Sequence, residues 1–227
     1  MSNKIAFISD IHGNYEALKV VLDYLDKNKI DRIYSLGDVV GYNCQINEVC
    51  EELQKRKIPN IFGNHDWYMA GGGKCPRSKS ANYLIEFQKE IISKENLQWL
   101  SESSLFFNFG NIRAVHGGWD NPIDEYLYDI NEQYFDEIKG SVFLSGHTHI
   151  PIIKVFNNGK IYCNPGSVGQ PRDGNPKTSF AILHDGRFEI IRLKYDYEPL
   201  FREMKSYGID DYYYGCLKYG SPKLRKI

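Results

Sequence analysis

Five of the six histidines in this 227-residue chain stand just behind a short apolar run that reads as a β-strand. "KIAFIS" leads into Asp10-Ile11-His12-Gly13, "RIYSLG" ends in Gly37-Asp38, and "IPNIFG" runs into Gly63-Asn64-His65-Asp66. "IRAVHG" delivers His116, and "SVFLSG" delivers His147-Thr148-His149. Imidazoles and carboxylates are costly beside buried strands unless something binds them. In open α/β sheets, ligands bind outside the carboxyl ends of strands. Most of these blocks carry a glycine, which permits a sharp turn and close backbone approach. The pattern therefore demands a fold that brings five distant strand ends to one rim. Only His184, in the "LHDGR" turn, falls outside it.

The rest of the chain fits that demand. Asn14 can cap a helix whose apolar positions Leu18, Val21, Leu22 and Leu25 repeat at helical spacing. Ile46, Val49, Cys50 and Leu53 repeat that spacing before the "IPNIFG" strand. This alternation predicts an α/β start with parallel strands. A loop follows over 70–80, "AGGGKCPRSKS", then one helix over "ANYLIEFQKEIISKENLQWL". From Leu105 the strands come in hairpins, with turns at Gly110–Asn111, Asn158–Gly159 and Asp185–Gly186. A helix is expected near Glu132–Lys139. The prediction is a single domain over 1–227 of mixed sheets flanked by helices. Within it, 70–100 is a candidate lid or helical insertion, and 199–227 is a C-terminal helical tail. The aromatic run "DDYYYGCLKY" is expected to pack as helix, and the closing "SPKLRKI" to be a frayed basic tail.

A net charge of −1 gives no general attraction to nucleic acid or an anionic membrane. The five cysteines are scattered and unpaired in spacing, as expected of reduced thiols in a cytoplasmic protein. No signal peptide or spanning segment is expected.

On an extended segment, side chains at i and i+2 point the same way, roughly 6–7 Å apart. Metals in a two-metal site lie about 3.5–4 Å apart. His147 and His149 can thus lean inward and hold one metal each. Asp10 and His12 can both serve one metal, and the two oxygens of Asp38 suit it to bridge. Imidazole with carboxylate accommodates manganese, iron, zinc, cobalt or nickel.

The blocks "DIHG", "GDVVGY", "GNHD", "VHGG" and "GHTH", in this order over 10–149, resemble the calcineurin-like metallophosphoesterases. "NPGSVGQPRDG" at 164–174 resembles their bacterial and archaeal phosphodiesterase branch, which includes diadenosine-tetraphosphatase-like proteins. The resemblance implies a four-layer β-sandwich of mixed sheets flanked by helices, of α/β (α+β) class. It implies Asp10, His12, Asp38 and His149 on one metal, and Asp38, Asn64, His116 and His147 on the second. Asp38 and His65 become the catalytic pair, His65 stabilising or protonating the leaving oxygen. The implied cofactor is two divalent ions, manganese favoured, and the implied partner is a small phosphate ester such as a nucleotide. The expected reaction is phosphodiester hydrolysis by a hydroxide bridging the metals, since metal binding brings a water's pKa from about 15.7 to near 7. The alternatives are a diadenosine-tetraphosphate-type hydrolase, a protein phosphatase, or a non-catalytic scaffold of the same fold. "GDVVGY" and "GNHDWY" lack the arginines usual in the eukaryotic protein-phosphatase branch, which counts against that activity.

Further candidates come from the later segments. Asn164, Gly166 and Ser167 could line the site through backbone donors, and Arg172 could touch a substrate phosphate. Lys74 or Arg77 on the 70–80 loop could meet a second phosphate. Asp66 could orient His65, cap a helix or form a salt bridge.

Overall fold

A computed structural model describes residues 4–221. Two mixed sheets pack face to face. The first has the order β2-β1-β8-β9, built from β1 (Ile5–Ile8), β2 (Arg32–Ser35), β8 (Thr178–His184) and β9 (Arg187–Leu193). The second has the order β3-β4-β5-β7-β6, built from β3 (Phe106–Phe109), β4 (Ile112–Val115), β5 (Val142–Leu144), β6 (Ile152–Val155) and β7 (Ile161–Asn164).

Strand alternation explains how the layers hold. In β1, Ile5 and Phe7 face the second sheet, while Ala6 and Ile8 face the helices. Both faces are buried, so the strand reads as a continuous apolar run. Leu36, Ala114, Val142, Leu144, Cys163 and Ala181 complete the layer between the sheets. Phe7 is fully buried there, a burial that contributes roughly 1.5–3 kcal/mol.

Helices α1 (Tyr15–Lys27) and α2 (Ile46–Lys55) cover the outer face of the first sheet through their apolar stripes. The Asn14 side chain accepts from Ala17 N–H, 3.1 Å away, as its sequence position suggests. The outer face of the second sheet is covered by irregular chain, with Leu127, Ile130 and Phe135 packed on Phe143 and Tyr162. The helix expected near 132–139 is only a 3₁₀ turn at Gln133–Phe135.

Other differences have local causes. "IPNIFG" forms isolated bridges at Asn60 and Ile61 instead of a strand, because Pro59 lacks the N–H a ladder needs. The long helix over 81–100 is two, α4 (Lys79–Ile91) and α5 (Lys94–Ser101). Ser93 separates them: its side chain caps α5, and its N–H donates to Asn47 Oδ1. A short α3 (Asn64–Met69) precedes them. After α6 (Glu198–Ser206), the aromatic run makes two 3₁₀ turns whose Tyr214 and Leu217 pack on Leu84 and Phe201. Residues 222–227 of the expected basic tail lie outside the described residues.

The pairing decides where the site sits. β1 and β2 run parallel, as do β4, β5 and β7, so their carboxyl ends share one side within each sheet. All five cysteines are free and buried. Among the described residues, no helix is long and apolar enough to cross a membrane.

Candidate metal centre

Asp10 and His12 follow β1, Asp38 follows β2, His116 follows β4, and His147 and His149 follow β5. Asn64 opens α3. These segments are joined by backbone hydrogen bonds: Asp10 N–H to Gly37 O at 3.0 Å, His12 N–H to Asp38 O at 2.9 Å, and Gly146 N–H to His116 O at 2.9 Å. Five of these residues take left-handed backbone: Asp10 (φ 54°), His12 (51°), Asp38 (54°), His147 (66°) and His149 (60°). Side chains other than glycine, asparagine and aspartate rarely adopt it, and such strain clusters at functional sites.

Two donor groups result. Asp10, His12, Asp38 and His149 bring ligand atoms within 4.8 Å of one another, and so do Asp38, His116 and His147. Asp38 belongs to both, and every member is buried. Its Oδ1 accepts from His65 N–H at 2.8 Å. Its Oδ2 lies 3.5 Å from His12 Nε2 and 3.4 Å from His116 Nε2, between the groups.

The imidazoles are set as ligands. Nδ1 of His12, His116 and His149 lies 2.9, 2.7 and 2.5 Å from the carbonyls of Val40, Leu36 and Gln170. A donating Nδ1–H leaves the Nε2 lone pair facing the cluster, the usual outer-shell support of a metal-ligating histidine. In that tautomer His12 Nε2 and His149 Nε2, 3.2 Å apart, oppose two lone pairs. A cation between them removes the repulsion. Asp10 Oδ1, Asp38 Oδ2, Asn64 Oδ1, His116 Nε2 and His147 Nε2 are all buried without a hydrogen-bond partner. Buried polar atoms are rarely left so. Five such atoms converging on two donor groups fit two cations.

Charge follows burial. Burial lowers the pKa of His12, His147 and His149, keeping them neutral. Burial pushes Asp10 up to about 7, helped by Asp38 and opposed by His116. Burial also acts on Asp38 and His116, but their mutual attraction outweighs it, holding the carboxyl low and the imidazole at about 10, so that a cation bound at His116 Nε2 would take the place of a proton. His65 is lowered to about 4, mainly by burial. Its ring packs on Tyr42 and His12, with centroids 4.7 and 4.8 Å away, and its Nδ1 has no partner.

The other candidates sort by what they touch. Asp66 accepts from Gly63 N–H and Val40 N–H at 3.1 Å, so it caps α3 and does not contact the His65 ring. Asn164 donates to Gly146 O at 2.6 Å and accepts from Gly166 N–H at 2.9 Å. Ser167 donates to Asp10 O at 2.7 Å. All three are buried: the Asn164 and Ser167 side chains brace the loops that carry Gly146 and Asp10, and the Gly166 N–H is used by Asn164 Oδ1. Arg172 donates to Tyr42 Oη at 3.1 Å and lies over its ring, 5.6 Å from the centroid. It forms no carboxylate pair among the described residues, and its Nε is buried without a partner. Its charge acts on Asp10, His12, His65, His147 and His149. Arg77 pairs with Asp124, whose Oδ1 is 3.5 Å from His147 Nε2, while Lys74 is exposed.

Tyr42, Gln88, Asp124 and Tyr126 were not among the expected site residues. Gln88 is fully buried in α4, accepts from Gly41 N–H at 2.8 Å and donates to Asn43 O. Its signal was available: a polar residue on the apolar stripe of Ala81, Leu84 and Ile85.

Residues 4–185 match the family described as the calcineurin-like phosphoesterase superfamily domain. An uncharacterized protein of Methanocaldococcus jannaschii is 34% identical over 228 residues, spanning 90% of this chain and 93% of that protein. Phosphodiesterase YfcE of Escherichia coli is 29% identical over 193 residues, spanning 84% of this chain and 92% of that one. The crystal structure of a metallophosphoesterase from Sphaerobacter thermophilus shares the fold with a TM-score of 0.82 at 29% identity, covering 97% of this chain and all of that one (100%). The family and the donor set together point to divalent metal ions.

Proposed function

The chain belongs to the calcineurin-like phosphoesterase superfamily, and we propose that it is a phosphodiesterase acting on a small nucleotide or related ester with two manganese ions. Asp10, His12, Asp38 and His149 hold one ion; Asp38, Asn64, His116 and His147 hold the other. The observation that carries this reading is Asp38 Oδ2, partnerless and buried between the two donor groups. When bound, such ions supply an activated water and neutralise charge on the phosphate oxygens.

The remaining work falls to side chains outside the donor groups. Arg172 is a partly buried cation whose buried Nε is unused, suited to a non-bridging phosphate oxygen. Tyr42 holds its guanidinium in place. The His65 imidazole gives a hydrogen bond to the leaving oxygen, where charge builds in the transition state. The 70–80 loop is tied to the segment after His116 through the Arg77–Asp124 ion pair.

Removing the ions tests the reading. Protein stripped with a chelator should lose bis-p-nitrophenyl phosphate hydrolysis by at least about 100-fold, and manganese should restore it. Stripped protein with full activity would end the proposal. Parallel reconstitution with zinc, cobalt and nickel tests the preference for manganese.

Glycine 41 offers a second test. Its φ is 95°, and a Cβ there would lie 2.2 Å from His65 Nδ1. Gly41→Ala must displace that ring, and displacement by about 1 Å costs about 100-fold in rate. Activity should fall to that extent with most of the metal retained. Parental activity would show that His65 needs no fixed position.

A further inference from the structure

The segment after His116 carries aromatic side chains that the proposed chemistry does not use. Leu127 points inward, packed with Phe135 and Phe143. Its neighbours Tyr126 and Tyr128 point the other way and are 37% and 65% exposed. Their rings are stacked, with centroids 5.6 Å apart and planes 13° from parallel. Tyr126 also lies against His147, with centroids 3.9 Å apart. His147, Tyr126 and Tyr128 thus make an aromatic column that starts at the donor groups and ends in solvent.

A cation flanks it. The Arg77 guanidinium lies over Tyr126, 5.2 Å from its centroid. Arg172 lies on the other side of the donor groups, over the Tyr42 ring. Because Tyr126 packs directly on His147, a phosphate bound at the donor groups would place an ester arm beside the column. Stacked tyrosines at the mouth of a polar site offer a flat apolar face with little rotamer freedom to lose, and every nucleobase presents a matching π-face.

We infer that Tyr126 and Tyr128 form a stacking seat for a nucleobase joined to the scissile phosphate, an inference that rests on the phosphodiesterase reading above. It selects esters with a planar aromatic arm over purely aliphatic ones.

Adenosine 5′-monophosphate and ribose 5-phosphate differ only by the base, so they isolate the seat. Both are to be used as inhibitors of bis-p-nitrophenyl phosphate hydrolysis by the manganese-loaded protein, and titrated calorimetrically. The nucleotide should bind at least about 10-fold more tightly than the sugar phosphate. Tyr128→Ala, a change at a well-exposed position, should bring the ratio towards one, and Tyr128→Phe should preserve it. Equal binding of the two probes to the parent protein would overturn the seat, as would a ratio unmoved in both Tyr126→Ala and Tyr128→Ala. If the metal-loaded parent protein hydrolyses no phosphodiester, the phosphodiesterase reading fails instead. The calorimetric ratio then decides on the seat alone.

Discussion

Asp38→Asn should lower kcat/KM on bis-p-nitrophenyl phosphate by about 1,000-fold or more, a loss of about 4 kcal/mol in transition-state stabilisation. The amide can still accept from His65 N–H as Oδ1 does now, so the local backbone keeps its anchor. What disappears is the anionic oxygen between His12 and His116. Both donor groups lose a member through one atom. Elemental analysis should show fewer than two ions per chain. The metal-free variant should melt below the parent, because the amide removes the buried attraction between Asp38 and His116, which outweighs the repulsion among the carboxylates. A variant with two bound ions and near-parental activity would remove Asp38 from the shared position.

His65→Ala should behave differently. Its ring belongs to neither donor group, so two ions per chain should remain. Assistance by a positioned acid or hydrogen-bond donor is worth about 100- to 10,000-fold. A loss of that size is expected for a nucleoside leaving group, which departs as a strongly basic alkoxide. The loss should be smaller with p-nitrophenolate, which leaves with little help. That split between substrates is the decisive measurement: equal losses on both would mean that His65 only props up its neighbours. The ring's contacts with Tyr42 and His12 make such propping a real competitor.

The side chains that gather in the two donor groups could be named in the sequence because few other roles put imidazole and carboxylate behind buried strands. The hairpins could be found because Asn-Gly and Asp-Gly turns are locally determined. Arg172 could be named but not interpreted: its meaning lies in Tyr42, 130 positions away, and in the absence of a carboxylate pair among the described residues. Nothing in the sequence around Tyr126 and Tyr128 sets them apart, since only tertiary structure puts Tyr126 against His147 and Tyr128 on Tyr126. Similar limits explain the secondary-structure differences. The stretch around Phe135 has apolar residues enough for a helix, but packing of that ring on Phe143 and Tyr162 selects a single 3₁₀ turn. The break between α4 and α5 has a local signal in the capping residue Ser93, while the support it takes from Asn47 of α2 is tertiary.

The left-handed backbone at Asp10, His12, Asp38, His147 and His149 has a kinetic consequence. Each of the three histidines among them costs roughly 1–2 kcal/mol against an ordinary conformation, and the packed sheets hold all five in place. If these residues hold ions as proposed, an arriving ion would meet an assembled cage. Little of its attraction would be diverted into ordering chain, and shedding of its hydration water would then limit capture.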